Sequence, residues 1–396
     1  MRSCPLNGIV SRAMENILAL PDSRSPDLYL THPTTREFES IYSLSFLAWG
    51  DALTLPQYLE ESALMTTVPL ASNGGMSVWL LTDKSLPQDQ RPILCSCETF
   101  RKRTFVMNAC GDFSEAIVHG VASVFCNPEY RRRGYAARLM RELAAKLPTW
   151  QVESKTCIGS VLYSDIGKSY YAKLGWHPFP LNNHIEFDAM HVPNLSQSGI
   201  REIIDKDLEQ YCKDDEAMIR KKMIRSSSQK ARMMIVPDLD HMLWHHRKEE
   251  FACDKLFGKQ PDVKGSVIGD DDDRIWMIWT HRYYGNPEHA SSDNTLYILR
   301  LVIENENASP EQVHNQVQQM QRMIQAAQNE AAGWDLHSVK LWDPAHLVQD
   351  LVERTGIQHR TVQREEESIA SLLWFGEGSG KEDTLEWLGN EKYGWC

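Results

Sequence analysis

The stretch from Ile117 to Ala136 constrains this chain more than any other. It runs Ile117-Val118-His119-Gly120-Val121-Ala122-Ser123-Val124-Phe125-Cys126, then Asn127-Pro128-Glu129-Tyr130, then Arg131-Arg132-Arg133-Gly134-Tyr135-Ala136. The opening run is apolar and rich in β-formers, and Pro128 marks a turn. From Gly134 onward, Ala136, Ala137, Leu139, Met140, Leu143, Ala144 and Leu147 recur at helical spacing. A strand that turns straight into a helix aims unpaired backbone N–H groups and the positive end of a helix dipole at one point. That point is a ready anion site. Gly134 lets the main chain approach a ligand with no Cβ in the way, and Ala136 is nearly as small.

Around this junction the periodicities predict strands over 28–30, 76–82, 93–107, 116–126, 155–163 and 183–188. Helices are predicted over 6–20, 34–49, 55–65, 134–147 and 166–174. The core of this is the order β α α β β β α β α β. Past the linker at 192–198, helices are expected over 200–224, 238–257, 310–332 and 344–354, and strands over 264–270, 274–283, 295–303, 337–342 and 367–375. This is nearly the same order again, so the chain reads as an internal duplication. The expected class is α/β with mixed sheets: an N-terminal helical extension at 1–26, a first domain at 27–190 and a second at 191–396. The second copy departs at its own junction, Glu304-Asn305-Glu306-Asn307-Ala308-Ser309, which holds neither glycine nor arginine. Two carboxylates there would repel a diphosphate. The first copy therefore reads as complete and the second as degenerate.

At 396 residues the chain can bury two cores. Residues 1–190 carry 18 Lys+Arg against 19 Asp+Glu, so nearly all of the formal charge of −12 lies beyond them. An acidic chain is a poor match for phosphate backbones, which argues against nucleic acid as a partner. The nine cysteines have no regular spacing and fit free thiols in a reducing compartment. The first twenty residues carry Arg12, Glu15 and Asn16 and lack a secretory apolar core. No window is apolar over the roughly 18 residues a bilayer span needs. A cytoplasmic monomer or homodimer without membrane contact is expected.

The pattern Arg-x-x-Gly-x-Ala at 131–136, after a strand, resembles the acyl-CoA pyrophosphate loop of the GCN5-related N-acetyltransferases. The block Tyr170-Tyr171-Ala172-Lys173-Leu174-Gly175-Trp176 resembles the same family's aromatic-Tyr-x-Lys-x-Gly-aromatic segment. The resemblance implies acetyl-CoA as co-substrate, held by Arg131, Arg132, Arg133, Gly134, Tyr135 and Ala136. It also implies support of the acyl group by main chain near Val124, Phe125 and Cys126. Tyr171 is implied as the acid toward the departing thiolate. Seven residues before it the family usually has an Asn contacting the cofactor, where this chain has Ser164.

Transfer to an amine also needs a base, because a lysine ammonium has a pKa of about 10.4. Many relatives place Glu or His at positions corresponding to Gly120 and Ala122, neither of which accepts a proton. His119 is one residue off and should face the other side of the sheet as a core histidine. Relay through water is one answer. Another comes from the tandem-domain N-myristoyltransferases, which share the doubled fold and use a terminal carboxylate. By that resemblance Cys396, or Glu391, would reach the first domain's cleft.

His241, His245, His246 and Glu249 have spacings that could hold zinc, yet the charged run 238–250 reads as a solvated helix face. Asp270–Asp273 reads as a hairpin turn. No metal is expected.

Over nearly its whole length the chain also resembles the fungal lysine N-acetyltransferases of lysine catabolism. The carrying segments are Ser45–Gly50, Leu53–Leu55 with Tyr58, Val161–Gly167, Lys173–Trp176 and Lys392–Trp395. This implies direct acetyl transfer to the side-chain amine of free lysine or a similar small amine, with Trp49, Tyr58 and His184 near the acceptor. The alternatives are another small amine (a polyamine, an amino-sugar, a secondary metabolite) or a CoA-binding regulator without turnover.

Overall fold

The duplicated order is present, and the two copies exchange their last strands. A computed structural model of the chain describes residues 20–193, 199–225, 229–289, 293–378, 380–381 and 383–395. The helix expected over 6–20 lies almost wholly outside them.

The first copy contributes strands β1 (Leu28–Thr31), β2 (Met76–Asp83), β3 (Cys95–Met107), β4 (Phe113–Cys126), β5 (Cys157–Ser164), β6 (His177–Pro178) and β7 (Asn183–Asp188). Its helices are α1 (Thr35–Trp49), α2 (Leu55–Met65), α3 (Tyr135–Lys146) and α4 (Ser169–Ala172). The second copy has β8 (Arg201–Ile204), β9 (Ala231–Ile235), β10 (Val263–Ile268), β11 (Ile275–Arg282), β12 (Thr295–Ile303), β13 (Ser338–Trp342), β14 (Arg360–Gln363), β15 (Ile369–Trp374) and β16 (Leu385–Trp387). Its helices are α5 (Leu208–Arg225), α6 (Leu239–Phe257), α7 (Pro310–Gly333) and α8 (His346–Thr355). Capping boxes start α1 (Thr34 with Glu37) and α7 (Ser309 with Gln312), each satisfying orphan N–H groups.

One sheet runs β1-β2-β3-β4-β5-β15-β6, with β9 beside β3 and β16 beside β9; the other runs β14-β7-β13-β12-β11-β10-β8. Thus β7 lies against β13, and β15 against β5, both antiparallel. Sheet membership therefore crosses the boundary expected near residue 190. A shared apolar layer joins the sheets, with Val118, Val161, Trp276, Ile278, Leu299 and Leu372 all buried in it.

Two expected helices are shorter than their patterns. The start of 200–224 is strand β8, paired along β10, because Ile203 and Ile204 sit well on a pleated edge. Of 166–174 only the single turn Ser169–Ala172 is helical. The Ser164 hydroxyl and the left-handed Gly167 (φ +74) hold the preceding residues in a turn.

Candidate active site

The junction at 117–136 opens as its sequence requires. β4 pairs with the parallel β5 only from Ile117 to Val121. Beyond that the two strands part, and β4 stays bound to β3 through a register shift opposite Ser96–Glu98. Ser123 absorbs the shift with φ +51, a bulge that re-aims the strand end. Asn127 caps a short turn, Arg132 and Gly134 both adopt positive φ (+64 and +86), and α3 begins at Tyr135. Among the described residues, the N–H groups of Gly134, Tyr135, Ala136 and Ala137 find no acceptor within the chain. Arg131, Arg132 and Arg133 are exposed beside them. A Cβ at Gly134 would stand 2.8 Å from Ser23 Oγ. Unpaired amides, a left-handed glycine and exposed guanidinium groups fit the diphosphate of an acyl-CoA. Bound there, that group would supply an activated acyl thioester.

The individual side chains play different parts. Arg131 folds back, its Nε donating to Cys126 O at 3.1 Å while the guanidinium lies 5.7 Å from the Phe125 ring centre. Tyr135 offers only its N–H, since its ring is buried and its hydroxyl donates to Pro21 O at 2.6 Å. Ser164 differs from expectation. Its hydroxyl donates to Gly167 O at 2.8 Å and accepts from Ile166 N at 3.3 Å, so it closes a turn and does not face a ligand.

Below the junction lies a cavity of about 240 Å³. Trp49 and Tyr58 form part of its wall, with Val124 and Tyr171. Burial raises the Tyr171 pKa further above the ordinary phenol value, so the hydroxyl holds its proton firmly. No hydrogen-bond partner for it is found among the described residues. His184 is not on this wall. It travels with β7 to the other sheet, where it is buried 3.4 Å from Arg364 and 3.6 Å from Glu186, and desolvation with the Arg364 charge pulls its pKa to about 4. His119 is a core histidine on the far face, bonded through Nε2 to Trp150 O at 2.9 Å, with burial lowering its pKa to about 4.

The carboxylate missing from β4 is supplied by β3. Glu98 pairs with Ala122 across the register and is 8% exposed on the cavity wall. It accepts from Tyr42 Oη at 2.6 Å and from Ser123 Oγ at 3.0 Å, so the bulge that opens the cleft also brings a donor to it. Burial raises its pKa, against the Tyr42 and Ser123 hydrogen bonds and the charge of Lys248. Sequence reasoning passed over Glu98. The available signal was a lone charge inside the buried run Cys95–Phe100. Gly120 has a different use. A Cβ there would lie 2.5 Å from Lys102 Cε, and Lys102 Nζ donates to Gly394 O at 2.9 Å, tying down the chain's tail.

The tail crosses both halves. Glu391 turns to the second sheet, accepting from Leu301 N at 3.2 Å and pairing with Arg300, so it does not reach the first cleft. Trp395 does line the cavity, and Cys396 lies outside the described residues. The histidine face of α6 is not solvated, contrary to its charged appearance. His241, His245, His246 and Glu249 are all buried, because α6 packs on β11 and the tail. His245 bonds Tyr393 O at 3.3 Å and His246 bonds Trp279 O at 3.0 Å. Among the described residues no three His, Cys, Asp or Glu side chains are grouped to hold a metal ion. No helix among them is long and apolar enough to cross a membrane.

Residues 104–176 match the acetyltransferase (GNAT) family, and residues 184–396 match the LYC1 GNAT-like C-terminal domain. A lysine acetyltransferase of Yarrowia lipolytica is 21% identical over 96% of this chain and 100% of its own length. Among solved structures, a GCN5-related N-acetyltransferase from Kribbella flavida aligns over 87% of this chain and 71% of its own, at 16% identity and a TM-score of 0.50. The Saccharomyces cerevisiae N-myristoyltransferase, solved with bound myristoyl-CoA, aligns over 91% of this chain and 81% of its own, at 8% identity and a TM-score of 0.50. The chain belongs to the GNAT family of N-acetyltransferases, with a LYC1-type GNAT-like domain as its C-terminal half.

Proposed function

We propose that this enzyme transfers acetyl from acetyl-CoA directly to the side-chain amine of free lysine or a similar small amine. One observation carries the reading: a buried carboxylate, Glu98, and a free tyrosine hydroxyl, Tyr171, line one cavity beneath an open amide loop. The loop holds the diphosphate through the N–H groups at the start of α3, which places an acyl group along the parted edge of β4. Glu98 takes the proton that an ammonium must lose before its nitrogen can attack. Its raised pKa suits that task better than an ordinary carboxylate would, since proton transfer to a weak base is slow uphill work. The Tyr171 hydroxyl, kept protonated by burial, is the acid toward the departing thiolate, donating a hydrogen bond to the sulfur as charge develops on it. The similarity to a protein named lysine acetyltransferase supports lysine as the acceptor. The test is thiol release from acetyl-CoA with lysine set against a polyamine and an amino-sugar. Release with lysine at the highest kcat/KM is expected. Release only with another amine would move the acceptor, and cofactor binding without any release would end the enzymatic reading.

A further inference from the structure

Two cysteines stand at the end of the β3–β4 ladder that lies under the amide loop. Cys95, the first residue of β3, faces Cys126, the last residue of β4. The next bond along, from Asn127 N–H to Leu94 O at 3.3 Å, makes this a non-hydrogen-bonded pair of the antiparallel ladder. In such pairs the Cα atoms are about 4.5 Å apart, within the range that a disulfide spans. Both side chains belong to the apolar cluster beneath α3, where Cys95 is buried and Cys126 is half-buried. The two thiols touch, the Cys95 S–H donating to Cys126 Sγ.

That contact is unequal. The Cys95 hydrogen bond lowers the Cys126 pKa, opposed by burial and aided by the charge of Arg131, and the same bond raises the Cys95 pKa together with burial. The thiol within reach of solvent is therefore the one that ionises more readily, and a second thiol already lies against it. An accessible nucleophilic sulfur next to a resolving cysteine is the arrangement that oxidises reversibly. Of the other described cysteines, Cys97, Cys157, Cys212 and Cys253 are buried. Cys110 is exposed on the β3–β4 turn, at the opposite end of both strands.

We propose that Cys95 and Cys126 are a modification site, joined as a reversible disulfide by a hydroperoxide, and that the bond weakens cofactor binding at the loop above. Cys126 Sγ attacks one oxygen of hydrogen peroxide; the O–O bond breaks, and the released hydroxide leaves with the thiol proton as water. Cys95 Sγ then attacks the sulfenic sulfur of Cys126. The S–S bond forms, the S–O bond breaks, and the Cys95 proton leaves with hydroxide as a second water. The two sulfurs give up two electrons between them, and the peroxide takes both. The effect on the loop follows from distances. Directly opposed Cβ atoms are about 4.5 Å apart and a disulfide holds them near 3.8 Å, so the bond draws the end of β4 toward β3 by roughly 0.7 Å. Cys126 O accepts from Arg131 Nε at 3.1 Å, which passes the pull to the first arginine of the loop.

The test treats the full chain with hydrogen peroxide, maps disulfides by mass spectrometry of unreduced peptides, and measures the Kd for acetyl-CoA by calorimetry before and after dithiothreitol. A Cys95–Cys126 link is expected, with Kd raised roughly tenfold or more, the scale of one lost charge-assisted hydrogen bond. Dithiothreitol should restore both. In Cys95→Ala the rise that dithiothreitol recovers should be absent. Peroxide that oxidises Cys110 yet leaves Cys126 unlinked, or links it to another cysteine, would overturn the site. A Cys95–Cys126 link with unchanged Kd would overturn its effect on the loop. A recoverable rise that persists in Cys95→Ala would assign the effect to other thiols. The inference rests on the loop as the cofactor site, and the two fail separately: a reduced chain that binds no acetyl-CoA would end the loop reading, while the link is still scored by mass on the wild-type chain.

Discussion

The two strand-to-helix junctions share a backbone plan and differ in what closes them. In the first, β4 bulges at Ser123 and leaves β5 after Val121. In the second, β12 shifts register against β11 between Ile278 and Trp279 and leaves β13 after Ile298. There the likeness stops. At the second junction Glu304 pairs with Arg274 at 2.7 Å and Glu306 with Lys222 at 2.6 Å. The Ser309 N–H is taken by Gln312 Oε1, and the parted strand edge is taken by Glu391 through Leu301 N. At this junction, then, two carboxylates, the Ser309 N–H and the Leu301 N–H are all engaged inside the chain. The first junction leaves the corresponding amides open. The second junction instead seats the tail through Glu391, and the tail then brings Trp395 to the cavity wall in the N-terminal half. Changes at the open junction should therefore alter rate and affinity, and changes at the closed one should alter stability.

The largest effect is expected at Glu98. Removing a general base typically lowers kcat by about 10²–10⁴-fold, and Glu98→Gln keeps the Tyr42 and Ser123 contacts in shape. Burial holds the Glu98 pKa above the ordinary carboxylate value, so the base forms only as pH rises past that raised value. In the wild type kcat/KM should climb with pH across that limb. In Glu98→Gln the limb should vanish. A persisting limb of the same midpoint would assign the base elsewhere.

Next in size is Arg300→Met at the closed junction. Arg300 bonds Asp215 through Nε at 2.8 Å and also pairs with Glu391; both carboxylates are buried and the Arg300 side chain is 12% exposed. Removing the cation leaves two carboxylates without a counter-charge, a loss of about 3–5 kcal/mol by the usual cost of breaking a buried pair. A denaturant titration should show it, with the acetyl-CoA KM of the remaining folded enzyme unchanged. A shift in that KM would mean the closed junction takes part in cofactor binding.

Both junctions were legible in the sequence because turn chemistry and helical period are local. Gly134 and the arginines at 131–133 stand within one turn of the amides they serve, and Glu304, Glu306 and Ser309 announce their closure the same way. Glu98 was not legible. Its place opposite Ala122 depends on strand register and on the Ser123 bulge, which no local pattern specifies. The exchange of β7 and β15 was hidden for a similar reason. Each strand has an apolar pattern that suits either sheet, and its partner is chosen by the whole fold. The α6 histidines misled because polar side chains were taken to mean solvent, whereas two of them bond the carbonyls of Tyr393 and Trp279 from distant segments.

Gly134→Val returns to the open junction with a smaller expected change. At φ +86 a β-branched residue is strained, and its Cβ would press on Ser23 Oγ. The loop must shift, taking one or more amides out of reach of the diphosphate. A hydrogen bond to a charged group contributes about 1.5–3 kcal/mol, so the acetyl-CoA KM should rise roughly 10- to 100-fold while the denaturation midpoint moves little. An unchanged KM would mean that these amides do not hold the cofactor.

The smallest effect sharpens the comparison most. Ser309 caps α7 by accepting from Gln312 N at 3.4 Å, the same structural place that Gly134 holds on α3. Ser309→Ala removes that cap at a cost of about 1 kcal/mol, visible in a denaturant midpoint. It also frees a helix N-terminus for an anion. Glu304 and Glu306 stay in front of it, so acetyl-CoA binding should keep its stoichiometry of one per chain and its KM. A second equivalent of cofactor bound by Ser309→Ala would show that the cap alone, and not the carboxylates and the seated tail, keeps the second junction silent.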